Sequence, residues 1–195
     1  TNSLWKFGRG EFKANIDYSF NRVMADASNI TTYFLDEGNR IITENRNGTE
    51  HSHSLSGKFI YELNQKTAFI NNTLRTNIDW DDMDLTTTGS IPNTQSARLP
   101  DYYVTNKFKM IKRFNGQHLI TFQSVNEWES LPQTLSLNTG GDTFRQHISD
   151  HAFYTQESAA YAFIIKGVTL SLEGGIKGYL RSMDSQLPEL PEELP

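Results

Sequence analysis

Residues 168–181 read VTLSLEGGIKGYLR, and their side chains alternate between two kinds. The even positions from Val168 to Leu180 are apolar or glycine, whereas the odd positions from Thr169 to Arg181 are polar or charged apart from Gly175. Because successive side chains of a β-strand point to opposite faces, only a strand between an apolar and a polar environment selects such a period of two. The stretch therefore predicts a strand whose polar face carries charges of both signs.

The same alternation recurs along the chain. It is clear in residues 12–21, where Phe12, Ile16 and Phe20 share one face and Lys13 and Asp17 the other. Residues 54–63 repeat it with one exception, Ile60, and residues 68–80 repeat it with one exception, Phe69. Several amphipathic strands in succession predict an all-β, antiparallel protein.

Short turn signals separate these strands. They are Asn64-Gln65-Lys66, Asn115-Gly116 and Lys166-Gly167, of which Asn-Gly is the strongest because a type I′ turn needs positive φ at both central positions. Between them, residues 86–100 and 138–143 are rich in turn-forming and polar residues, and we predict long loops there. Short turns at one rim and long loops at the other are typical of outer-membrane barrels, and place Asn64, Asn115 and Gly167 at the periplasmic rim.

The turns divide the chain into about seven predicted strands, most of them longer than the ~9 to 11 residues that cross a bilayer at a tilt. They are Phe12–Leu35, Ile41–Leu63, Thr67–Leu85, Leu99–Phe114, Gln117–Leu137, Phe144–Lys166 and Val168–Met183. An odd number near seven does not close a bacterial barrel. We therefore expect residues 1–195 to be part of one transmembrane β-barrel domain, with the Pro-rich residues 187–195 starting a loop.

Composition excludes several other classes. The chain has no run of about 18 apolar residues, and its mean hydropathy of -0.56 agrees with a barrel whose interior is polar. A net charge of -5 without a basic run argues against a nucleic-acid partner. The absence of cysteine excludes disulfides and thiolate metal sites.

Residues 14–18 (ANIDY), 74–80 (LRTNIDW) and 170–176 (LSLEGGI) resemble barrel strands of TonB-dependent receptors of Gram-negative bacteria. Residues 110–114 and 151–155 are similar to strands of the large type that carries an N-terminal carboxypeptidase-like regulatory domain. The resemblance implies a barrel of about 22 strands with a plug, located in the bacterial outer membrane and importing a nutrient that the sequence does not identify. It also implies contact with outer-membrane lipid and lipopolysaccharide, energy from TonB, and a surface lipoprotein as a partner.

In that transport barrel, we expect the charged side chains of the polar strand faces to line the lumen. They are Lys13, Asp17, Lys58, Glu62, Arg75, Asp79, Glu173, Lys177 and Arg181. Two alternatives stay open. One is a passive porin-like or adhesive barrel without energy coupling. The other is a soluble β-sandwich that binds carbohydrate through aromatic side chains such as Trp5 and Trp128.

Side chains with metal-binding or catalytic chemistry are sparse. Asp81, Asp82 and Asp84 follow Asp79 and Trp80, and carboxylates are ligands that hard cations prefer. A hydrated loop base facing lipopolysaccharide explains this acidic cluster as well. His51 and His53 share a strand face but lack a third ligand, and no nucleophile is visibly paired with a base. We therefore expect no metal, no cofactor and no enzymatic activity.

Overall fold

A computed structural model describes residues 1–35, 38–90 and 92–186. This part of the chain is a single antiparallel sheet of eight strands in sequence order, curled like half a barrel. The strands are β1 (Asn2–Phe7), β2 (Gly10–Leu35), β3 (Gly38–Gln65), β4 (Ala68–Gly89), β5 (Asn93–Phe114), β6 (His118–Thr139), β7 (Asp142–Ile165) and β8 (Val168–Gln186). The predicted all-β antiparallel fold is thus confirmed.

The turns after β1, β3, β5 and β7 lie along one edge of the sheet, which we call the near edge. Two of them match the sequence prediction, since Asn115 and Gly116 have φ of 48° and 70°, and Lys166 and Gly167 have φ of 49° and 81°. These are the positive values that a type I′ turn requires. The turn predicted at residues 64–66 is displaced, because β3 continues through Gln65 and the turn begins at Lys66.

The sheet contains one strand more than the seven predicted. β1 pairs with the start of β2, from Asn2 opposite Asn15 to Phe7 opposite Gly10. The ring centroids of Trp5 and Phe12 are 5.5 Å apart across this pair. At six residues, β1 is too short for its alternation to stand out in the sequence.

The two long loops predicted from composition are wrong. Within residues 86–100, β4 extends to Gly89 and β5 begins at Asn93, and within residues 138–143 the connection is only Gly140 and Gly141. The polar residues of these segments lie on strands, where threonine in particular is favourable. Connections are therefore short at both edges, and the predicted difference in loop length does not orient the sheet. Residues 187–195 lie outside the described part.

The ladder between β5 and β6 is interrupted at one level. Pairing stops after Arg98 opposite Thr134 and resumes with Tyr102 opposite Ser130, which leaves Pro100 facing Pro132. Proline has no N–H to donate, so two facing prolines remove both hydrogen bonds of one pair and disrupt the pairs beside it. Both prolines still have register partners on their other sides, Trp80 and Ser149.

The described sheet is one layer thick and has no core of its own. No hydrophobic side chain of the described residues is fully buried, while Leu172 and Ile176 are 77% and 73% exposed. The described part contains no helix of the length and apolarity needed to cross a membrane. Burial of apolar surface is the main stabilising contribution to folding, so something other than this sheet must cover its apolar side chains.

Candidate functional site

The strand register sorts the side chains onto two faces. Face A carries Phe12 and every side chain in register with it, such as Tyr61 directly opposite on β3. Face B carries Lys13 and its register partners, such as Ile60. Residues that lie directly opposite in an antiparallel pair point to the same side, so the assignment extends across all eight strands.

Face A carries a mainly apolar band beside the near edge, with a group of polar side chains at its middle level on β4 to β7: Asn72, Thr76, Asn106, Ser124, Asn126, Thr155 and Glu157. On each of β2 to β8 the band occupies 9 to 13 consecutive residues, of which every second side chain belongs to face A. The segments are Phe12–Phe20, Leu55–Leu63, Ile70–Trp80, Tyr102–Met110, Ile120–Trp128, Phe153–Ile165 and Val168–Leu180. We call these segments the band segments.

Polar side chains within the band hydrogen-bond to one another. Asn106 Nδ2 donates to Asn72 Oδ1 at 3.0 Å, and Thr155 Oγ1 donates to Asn126 Oδ1 at 2.8 Å. Ser124 Oγ donates to Glu157 Oε1 at 2.7 Å. Mutual hydrogen bonding lowers the cost of placing polar groups in apolar surroundings, so these side chains do not interrupt the band as isolated polar atoms would.

Beyond the band, the two faces exchange character. Face A becomes polar, with Arg22, Asp82, Arg98, Thr134, His147 and Asp184 among its side chains. Face B becomes apolar at Val23, Met83, Leu85, Ala97, Leu99, Leu131, Leu135, Leu137, Phe144, Ile148 and Met183. β3 departs from the pattern, because Glu50 and Arg46 lie on face B there. The exchange occurs at one level, which is also that of Pro100 and Pro132.

Large aromatic side chains mark the limits of the band. Phe20, Trp80, Trp128 and Phe153 lie on face A at its far limit, and Trp5 lies on face A at the near edge. Consequently all three tryptophans of the chain are at a limit of the band and on the same face. Tryptophan is enriched where an apolar and an aqueous environment meet.

The nine charged residues predicted to share a lining all lie on face B. The distance from Lys13 Nζ to a carboxylate oxygen is 3.5 Å for Glu11 and 3.8 Å for Glu62. Lys58 lies directly opposite Arg75, so two cations face each other without an intervening carboxylate. The register therefore places the predicted residues on one face, in two separate groups: six on β2 to β4, and Glu173, Lys177 and Arg181 on β8.

Two carboxyl groups just beyond the band segments have shifted pKa values. Arg181 donates two hydrogen bonds to Asp150, at 2.6 and 3.0 Å, and these hold the pKa of Asp150 below its usual range. The pKa of Asp101 is raised, first by its burial and then by the neighbouring Asp79 directly opposite on β4. One oxygen of Asp101 is buried without a hydrogen-bond partner.

The structure does not assemble the metal candidates. Asp82 and Asp84 lie on face A, whereas Asp81 lies on face B, so the three carboxylates point to opposite sides of β4. Within the described ranges, no group of three His, Cys, Asp or Glu side chains is placed to hold an ion. His53 accepts or donates a hydrogen bond with the Tyr18 hydroxyl at 2.7 Å, and its ring lies 4.7 Å from that of Phe20.

Face B also carries charged residues that were not predicted to line the lumen, among them Asp101, Lys107, Lys109, Glu127 and Asp150. The exchange of the two faces was not predicted either. Its signal is in the sequence, because the apolar positions of β4 change from even numbers, ending at Trp80, to odd numbers at Met83 and Leu85. Comparison with models of known protein families gives no match for this chain, and comparison with curated proteins gives none either.

Proposed function

We propose that this chain forms part of the wall of an outer-membrane β-barrel, with face A toward lipid and face B toward the lumen. The observation that carries the proposal is the height of the apolar band. Nine residues of strand rise ~30 Å, and at the ~40° tilt of barrel strands they span ~23 Å. This is close to the ~25 Å apolar belt of such barrels. Four of the seven adjacent strands have this height, while the 11 residues of β4 span ~28 Å and the 13 residues of β7 and of β8 span ~33 Å.

The exchange of faces supports the same arrangement. β2 to β7 have 22 to 28 residues each, about twice what a bilayer crossing needs. In the proposed barrel, their far halves project from one side of the membrane, where the outer surface of the barrel meets water. Face A is polar there, as water requires. A soluble sandwich would keep one apolar face along the whole strand.

For the activity, we propose uptake of a nutrient by a barrel of the TonB-dependent receptor type. Its support is the resemblance of the strand sequences together with the charged lining that face B would give the lumen. The step from barrel to transport is an analogy between folds. In this arrangement, Lys13, Asp17, Lys58, Glu62, Arg75, Asp79, Glu173, Lys177 and Arg181 face the transported solute or the plug that retains it.

Tryptophan fluorescence tests the membrane assignment. The full-length protein that contains this chain, with any other tryptophan replaced by phenylalanine, is reconstituted into vesicles whose lipids carry bromine either near the headgroups or at the ends of the acyl chains. We expect stronger quenching by bromine near the headgroups, because Trp5, Trp80 and Trp128 all lie at band limits on face A. Reconstituted protein is also expected to shift in electrophoretic mobility when heated. The barrel is refuted if the protein dissolves in buffer without detergent and shows neither the quenching nor the heat-dependent shift in mobility.

A further inference from the structure

Four cations form a patch on face B at the level of the band segments. Lys58 of β3 lies directly opposite Arg75 of β4, and Lys107 and Lys109 of β5 pair with the neighbouring Thr73 and Asn71 of β4. Directly opposite residues have Cβ atoms ~5 Å apart. Lys58 and Arg75 are therefore adjacent, while Lys107 and Lys109 lie ~7 and ~13 Å along β5 from Thr105, the residue opposite Arg75. We call Lys58, Arg75, Lys107 and Lys109 the cationic patch.

The cationic patch lacks counter-charges from the described part of the chain. None of its four cations has a carboxylate oxygen within 4.0 Å, whereas Lys13 and Arg181 on the same face are paired with carboxylates. All four side chains are exposed. Like charges that lie directly opposite destabilise a sheet, so the patch is stabilised when an anion binds between them.

One further feature beside the patch suits an anionic ligand. An open pocket of about 390 Å³ adjoins Lys58 and is lined by Asn2, Leu4, Lys13, Asn15 and Ile60 as well. Amide and ammonium groups are hydrogen-bond donors, and the arginine guanidinium pairs with phosphate or carboxylate in two parallel bonds.

We infer that the cationic patch binds a small solute bearing phosphate or carboxylate groups, which makes such an anion the substrate class of the proposed transporter. The location in a lumen rests on the proposed function, whereas binding to the patch does not. Acidic side chains limit the ligand's size, because carboxylates border the patch on face B on three sides: Asp79 and Asp101 toward the far half, Glu127 on β6 at the level of Arg75, and Glu62 on β3 at the level of Lys109. A long polyanion would extend over these carboxylates and be repelled.

Calorimetric titration with inorganic pyrophosphate, in detergent micelles at low salt, tests this inference. We expect binding that Arg75→Gln and Lys109→Gln each weaken about tenfold, since each removes a charge-assisted hydrogen bond. Arg75→Lys is expected to keep part of the affinity. The matched control is Lys112→Gln, which removes the same charge three residues along β5 but from face A, where Lys112 contacts the Phe114 ring.

The two proposals fail separately. The anion site is overturned if Lys109→Gln and Lys112→Gln weaken pyrophosphate binding equally, or if a chain that inserts into lipid does not bind pyrophosphate. Either result leaves the barrel proposal intact. Binding at the cationic patch by a chain that is soluble without detergent would overturn the barrel and leave the anion site. Much tighter binding of long-chain polyphosphate than of pyrophosphate would overturn the assignment to a small solute.

Discussion

Pro100 of β5 faces Pro132 of β6, and the ladder between these strands is interrupted there while it continues on both sides. The interruption lies at the level where the apolar side chains pass from face A to face B. In the proposed barrel this level is one surface of the membrane. The hydrogen-bonded pairing of β5 with β6 is therefore weakest where the barrel wall leaves the bilayer.

Replacing Pro132 by threonine should close part of this gap. The new N–H can donate to the carbonyl of Pro100, and we expect amide hydrogen exchange of Tyr102 and Ser130, whose N–H groups point toward the gap, to slow about fivefold, which corresponds to one net hydrogen bond of ~1 kcal/mol. Exchange measured by NMR checks this. Pro92→Thr is the control, because Pro92 precedes β5 and lies outside the strands. If amide hydrogen exchange beside the gap is unchanged in Pro132→Thr, other contacts hold β5 and β6 apart.

Arginine substitution tests the direction of the two faces. Leu172→Arg should reduce the free energy of unfolding from lipid vesicles by ~2 to 4 kcal/mol, because a charge on the lipid face near the membrane centre is costly. Ser171→Arg, one residue away on face B, should cost much less in a polar lumen. Reversible unfolding in guanidinium chloride measures both. Similar losses for the two variants would contradict the assignment of face A to lipid.

The carboxyl pair Asp79–Asp101 should make stability depend on pH. Because the pKa of Asp101 in the folded chain is raised above its usual 3.8, ionising it disfavours the folded state. Stability should therefore fall as pH rises from about 4 through the raised pKa. Asp101→Asn should raise the denaturation midpoint at pH 7 and leave it nearly unchanged at pH 3. Asp79→Asn should lower the pKa of Asp101, which carboxyl NMR can follow; no change would assign the shift to burial alone.

The Asp150–Arg181 pair should act in the opposite direction. The pKa of Asp150 lies below its usual 3.8 because of the hydrogen bonds from Arg181. The pair therefore stabilises the fold above pH 4, and this contribution is lost as pH falls through the lowered pKa. Arg181→Gln should raise the pKa of Asp150 toward its usual value. Carboxyl NMR titration measures it, with Lys177→Gln as a control on the same strand and face; equal shifts in both variants would indicate a long-range charge effect.

Much of the fold can be predicted from single strands. The alternation around Phe12, Leu74 and Leu172 identifies the face of β2, β4 and β8 that is apolar within the band segments. The turns at Asn115-Gly116 and Lys166-Gly167 identify β5 and β6, and β7 and β8, as neighbours. These features depend on local geometry, since side-chain direction and turn conformation are set within a few residues. That is why the nine charged residues assigned strand by strand share face B.

Other features could not be predicted locally. The composition of residues 86–100 suits a loop, but Thr86 and Thr94 face each other across paired strands, and that pairing decides their conformation. The cationic patch likewise depends on register, because Lys58 and Arg75 are 17 positions apart in sequence and adjacent only across β3 and β4. Long-range pairing of this kind leaves no mark on the composition of either strand.

The exchange of apolar side chains between faces also constrains how these strands can change in length. Deleting one residue of β4 at Asp81 would rotate Met83 and Leu85 from face B to face A, because side chains alternate with a period of two. The apolar band on face A would then become taller than a bilayer. At the same time, face B of the projecting half would lose its apolar side chains on β4. Deleting two residues would preserve both faces. Insertions and deletions at this level should therefore be tolerated in pairs of residues and rejected singly.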